Sequence, residues 1–158
     1  MDLSQYLEIF IDESKEHLQT LNDQVLILES EPENVDTVNE IFRAAHSLKG
    51  MAGTMGYKRM QRLTHDMENV FSEIRNGKMN VNADLVDIVF KCLDALEGYL
   101  TNIIETSDEG TEDNDELIAQ LNAVLQNGLA GSGEAQAAAT KEETKEEKKP
   151  EGGDRRKY

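Results

Sequence analysis

The sequence has no tryptophan, one cysteine and two prolines. A single cysteine excludes a disulfide framework within the chain. Cys92 sits in an apolar helical pattern and reads as a small buried hydrophobe. The prolines are Pro32 and Pro150, so the long stretch between them lacks the strongest helix breaker. Aromatics make up 5% of the chain, and the apolar content comes from aliphatic residues, Met and Ala, which suits a helical core. No apolar run reaches the ~20 residues of a membrane span. The opening Met1-Asp2-Leu3-Ser4 has no basic region followed by an apolar core, so no secretory signal is read there. These absences point to the cytoplasm. Also missing are a Walker-type glycine loop, a protein-kinase signature and Gly-x-Ser-x-Gly, which leaves no recognisable site for nucleotide or acyl chemistry.

Positive charge is scarce too, with a net charge of −16. After Gly128, seven basic residues balance seven acidic ones, so the imbalance falls on the part before it. An acidic domain repels nucleic acid and anionic membrane surfaces, and neither is expected as a partner.

What the chain does contain is helical periodicity. Five helices are expected, at about 3–29, 35–54, 58–76, 83–105 and 115–126. The first carries a stripe through Leu7, Phe10, Ser14, Leu18, Leu21, Val25 and Leu28. Residues 30–34 form a turn with several possible caps, Gly56 suits a left-handed stop after helix two, and Asn82 can cap helix four. Gly98, inside helix four, has no evident reason. After Gly128 the composition turns to Gly, Ala, Ser and then Lys/Glu, as in linkers. The expected architecture is all-α: an up-and-down four-helix bundle with a fifth helix alongside, over residues 1–127, followed by a disordered tail over 128–158. At this length a single, monomeric domain is expected.

The chain is organised around Ala44-Ala45-His46-Ser47-Leu48-Lys49-Gly50-Met51-Ala52-Gly53. Ala45, Leu48 and Ala52 continue the apolar stripe of helix two, which places His46 at its edge, with the ring able to reach water. Lys49 and Gly50 border it on the helix surface. Each glycine costs a helix interior roughly 0.5–1 kcal/mol. Clearance for a partner at Gly50 and Gly53 is one reason for them; close helix packing is the other. His65 and Glu68 sit three apart on helix three, which folds back along helix two. A carboxylate on Nδ1 fixes the tautomer of a histidine and frees Nε2 as a nucleophile, and a nearby ammonium favours an anion there. The arrangement suits phosphoryl acceptance. It equally describes a polar surface ring bridging two helices in a non-catalytic adaptor. A metal site from His46, His65 and Glu68 is a third reading. His17, beside the first stripe, reads as structural or solvated.

The segment His46-Ser47-Leu48-Lys49-Gly50 resembles the His-x-Leu-Lys-Gly segment of histidine phosphotransfer (HPt) domains. It is most similar to those at the N-terminus of bacterial chemotaxis histidine kinases. The opening Tyr6-Leu7-Glu8-Ile9-Phe10-Ile11-Asp12-Glu13-Ser14 and the run His65-Asp66-Met67-Glu68-Asn69 match as well. The resemblance extends through about Ile104, thins over helix five and is absent in the tail. It implies a phospho-acceptor role for His46 through Nε2, a hydrogen bond from Nδ1 to Glu68, and assistance from Lys49 and His65. It implies that ATP and Mg²⁺ are used by a separate kinase domain of the same protein, commonly in trans, with no cofactor or metal in this domain. The recipient would be an aspartate on a response regulator of the CheY type. The module would then be no enzyme alone, but part of a protein histidine kinase.

Overall fold

The computed structural model describes the backbone of residues 3–140 and the side chains of residues 3–128. Five helices follow in order: α1 (Leu3–Ser30), α2 (Val35–Met55), α3 (Lys58–Arg75), α4 (Ala83–Thr106) and α5 (Asp115–Thr140). No strand occurs among the described residues. The chain divides after Leu125 into two units, and the first holds everything that follows. In the second, residues 126–140 are helical.

Each short connection reverses the chain, so the first four helices run up and down. α2 packs on α1 and α3, and α4 packs on α1 and α3, closing the bundle. The stripes read from the sequence are its core. Leu21, Val25 and Leu28 of α1, Ile41 and Leu48 of α2, Leu63 and Met67 of α3, and Leu93 and Leu96 of α4 are all buried. Leu117, Ile118 and Leu121, from the first turns of α5, belong to the same core. Cys92 is fully buried, and burial, helped by the charge of Asp66, pushes its thiol up to about 12, so it stays protonated. No helix of the described residues is long and apolar enough to cross a membrane.

The helix ends are set by local chemistry. Asn34 caps α2 by accepting from the Thr37 N–H at 3.0 Å, and Asn82 caps α4 by accepting from Leu85 N–H at 2.9 Å. Gly56 takes φ 83°, and its N–H closes onto the carbonyls of Ala52 and Gly53. α3 has no side-chain cap of its own. Its first N–H groups instead meet Glu109 from the α4–α5 loop, which accepts from Arg59 N–H at 3.0 Å and Met60 N–H at 2.9 Å. The same loop is held by Arg59 Nε donating to Asp113 at 2.6 Å and Tyr57 donating to the Ser107 carbonyl at 2.9 Å. The start of α3, and with it the register of α3 against α2, is thereby tied to a distant loop.

One expected boundary differs. The sequence places helix five at 115–126 with linker from 128, whereas α5 runs to Thr140. The physical reason lies in Ala130, Ala135, Ala137, Ala138 and Ala139, since alanine has the highest intrinsic helix propensity and linker composition counts it only as small. The remainder of the expected tail, 141–158, lies outside the described residues.

Gly98 has no structural reason to be glycine. It lies mid-helix on an exposed face, and a Cβ there would meet nothing within 4 Å. Gly98→Ala is expected to raise unfolding stability by about 0.5–1 kcal/mol, measured by urea titration, with no change in the site.

Candidate functional site

The site forms where α2 and α3 lie side by side. On α2, Ala45 and Leu48 are wholly buried, while His46, one position along, turns outward with 64% of its side chain exposed. On α3, Glu68 lies on the buried face at 8% exposure. A carboxylate in that place is tolerable only with partners. It has two. Its Oε2 lies 2.5 Å from His46 Nδ1, and its Oε1 lies 2.5 Å from Lys49 Nζ. Both oxygens are occupied by α2, and both α2 side chains are held by one residue.

The electrostatics follow. Burial pushes the Glu68 carboxyl up, but hydrogen bonds from Lys49 and His46, with their charges, outweigh it and hold the group below its ordinary range. Glu68 is therefore an ionised acceptor at neutral pH. Nδ1 must then be the donor, and in a neutral imidazole the lone pair sits on Nε2. Lys49, expected to favour an anion on the free nitrogen, holds its Nζ on the carboxylate beneath the ring.

His65 stands apart. It is exposed, and its Nδ1 lies 3.2 Å from Asp66 Oδ1 with no bond to His46. Three helical positions turn a side chain by about a sixth of a circle, enough to point Glu68 inward and His65 out. Among the described residues no group of three or more His, Cys, Asp or Glu could hold a metal ion, so the triad His46, His65 and Glu68 is not assembled.

The two glycines separate. At Gly50 a Cβ would meet nothing within 4 Å, leaving open space beside His46. At Gly53 a Cβ would fall 2.5 Å from Gln61 Nε2 of α3. At Gly53 the space is shared with the mobile end of the Gln61 side chain, which would have to shift for any larger residue, so this glycine borders α3 as well as the face of His46.

A groove of about 600 Å³ adjoins His46. Tyr6, Ile9 and Phe10 of α1 line one side, and Gly50, Met51 and Met55 of α2 the other. Tyr6 and Ile9 are large, apolar and exposed, at 52% and 44%. Sequence reasoning missed this groove. The available signal was that Tyr6 and Ile9 are apolar yet lie off the α1 stripe, which ordinary solvation does not require.

A family model described as "Hpt domain" matches residues 5–127. Chemotaxis protein CheA of Bacillus subtilis is 53% identical over 121 residues, which is 77% of this chain and 18% of that protein. The chain thus spans about a fifth of the length of the curated relatives it matches. The solution structure of the histidine phosphotransfer domain of CheA superposes with a TM-score of 0.72 at 38% identity, covering 77% of this chain and 92% of that one. The phosphorylated P1 domain of CheA3, in complex with CheY6 from R. sphaeroides, has a TM-score of 0.74 over 80% of this chain and 99% of that one. At 19% identity that last likeness is one of fold.

Proposed function

The chain belongs to the Hpt domain family, and from that premise we propose that it is the phosphotransfer module of a chemotaxis histidine kinase. His46 accepts a phosphoryl group from ATP held by a separate kinase domain and passes it to an aspartate of a CheY-type response regulator. The observation that carries this is the exposed imidazole held at Nδ1 by the buried, Lys49-paired Glu68.

The Nε2 lone pair attacks the γ-phosphorus in line, the bond from phosphorus to the bridging oxygen breaks, and ADP leaves with that electron pair. As Nε2 shares its pair the ring becomes cationic, with its proton still on Nδ1. The Glu68 carboxylate stabilises that charge as it develops. In the second step an aspartate oxygen of the regulator attacks the same phosphorus. The P–N bond breaks and its electrons return to Nε2, restoring the neutral ring.

Mg²⁺ and ATP belong to the partners in this reading, and the module is a relay. The open space at Gly50 and the groove between α1 and α2 give a partner an unobstructed approach to Nε2, with Tyr6 and Ile9 as apolar contacts. His65 pairs with Asp66 and makes no direct bond to the ring; in this reading its assistance would come only through a partner-bound phosphate.

The test is incubation of the chain with labelled ATP and a kinase core from a CheA-type protein. The expected result is an acid-labile, alkali-stable label that a CheY-type regulator removes on addition. A folded chain that takes no label, beside a control substrate that does, would replace this reading with that of a non-catalytic adaptor.

A further inference from the structure

Glu68 tethers His46 at one atom only. The carboxylate oxygen holds Nδ1 at 2.5 Å, while 64% of the side chain faces water. Beside its Cβ–Cγ bond, that single hydrogen bond leaves an exposed ring room to roll about Cβ–Cγ. Roll swings the Nε2 lone pair away from the line of attack, and in-line transfer is sensitive to such misplacement.

A second contact addresses the ring plane. Phe42, one turn earlier on α2, lies nearly parallel to the imidazole, with an interplanar angle of 8° and centroids 6.2 Å apart. That falls within the range of offset-stacked rings, about 4.5–7 Å between centroids. Phe42 is in turn covered from α3, where the guanidinium carbon of Arg75 lies 4.1 Å from the Phe42 ring centroid. This is cation–π geometry. Among the described residues the Arg75 side chain makes no ion pair or hydrogen bond, so the ring is its one specific partner. Each residue has a simpler use. Phe42 packs against the core, and a basic side chain in the last turn of α3 complements the helix dipole. Neither use calls for a guanidinium above a ring that is itself parallel to the phospho-acceptor.

The geometry points to Phe42 and Arg75 as positioning residues: Arg75 pins Phe42, and Phe42 sets the plane of His46 so that Nε2 is aimed before a partner arrives. This rests on His46 being the phospho-acceptor.

The experiment uses the full chain with a CheA-type kinase core and labelled ATP. It compares native protein with Phe42→Leu, Phe42→Tyr and Arg75→Gln. Alongside the labelling rate, NMR relaxation reads the order parameter of the His46 ring C–H bonds. Phe42→Leu is expected to label about 10-fold more slowly, and Phe42→Tyr to recover to within about threefold of native, because misaligned attack is what is lost. Arg75→Gln is expected to slow labelling about two- to fivefold, as an exposed cation–π contact is modest. In Phe42→Leu and Arg75→Gln the His46 order parameter falls, and in Phe42→Tyr it returns. A packing role alone would move the unfolding midpoint and leave the order parameter unchanged in Arg75→Gln. Native-like rates and ring order in both Phe42→Leu and Arg75→Gln would overturn the proposal while leaving the acceptor assignment standing. If Phe42→Leu fails to fold by circular dichroism, Arg75→Gln decides alone: a loosened ring supports the stack, an unchanged ring refutes it. Absence of label on His46 of the native chain would instead defeat the acceptor reading itself.

Discussion

Replacing Glu68 with glutamine slows phosphoryl acceptance on the order of 10²-fold, the usual reach of a positioned group that stabilises developing charge, and leaves the bundle folded. Glutamine has the shape of the native side chain. Its amide oxygen can still accept from His46 Nδ1, but it carries no charge to stabilise the cationic ring as phosphorus arrives. The bond to His46 loses its charge assistance, and the amide NH2 that replaces the other oxygen cannot accept from Lys49 Nζ. The rate of label uptake and the far-ultraviolet circular dichroism are measured together. A folded variant with an unchanged rate would remove Glu68 from the mechanism. An unfolded one would make it structural.

The same variant carries a pH signature. The folded-state carboxyl of Glu68 is held below its unfolded value. The ionised form therefore contributes stability above the unfolded carboxylate range, and that contribution disappears as pH falls through the depressed value. Urea titrations of native protein and Glu68→Gln are expected to differ above the ordinary carboxylate range and to converge as pH falls below it. Part of the difference is screened, because His46 and the end of Lys49 reach water. A gap that widened in acid would contradict the sign of the shift.

Glu109→Ala is the second large effect, and it acts on stability. Glu109 is buried at 6% exposure and accepts from two backbone N–H groups at the start of α3. Truncation leaves those donors without their partner and removes an anion from the positive end of the helix. The expected cost is about 2–3 kcal/mol, seen as a fall in Tm of roughly 5–10 °C. Glu109→Gln is expected to lose less, because its amide oxygen still accepts one of the two bonds. A Glu109→Ala midpoint equal to native would mean that α3 is held by packing alone.

These predictions separate what the chain sequence displays from what it hides. Asn34, Asn82 and Gly56 were legible as helix ends because their effect is local. A cap acts within three residues, and a left-handed glycine within one turn. The stripes of α1 to α4 were legible because a buried face repeats with the helix. The pairing of α2 with α3 followed from the short turn between them. Glu109 was not legible as the cap of α3, since about 50 residues separate it from the N–H groups it serves and nothing in a polar loop marks one acid as inward. Gly50 and Gly53 looked alike for a similar reason. Both border the face of His46, and only the placement of Gln61 on the facing helix separates them. His65 and Glu68 were read as sharing a side, but one turns out to water and the other in. The end of α5 was lost because alanine belongs equally to linkers and to helices. Arg75 could be read only as a basic residue near a helix end until α3 was laid beside Phe42.

The most direct test of the central claim is NMR of the phosphorylated chain with ¹⁵N-labelled histidine, reading ³¹P–¹⁵N coupling. Coupling is expected to Nε2 of His46, with Nδ1 still protonated and bonded to Glu68. Phosphorus on Nδ1 of His46, or on His17 or His65, would contradict it.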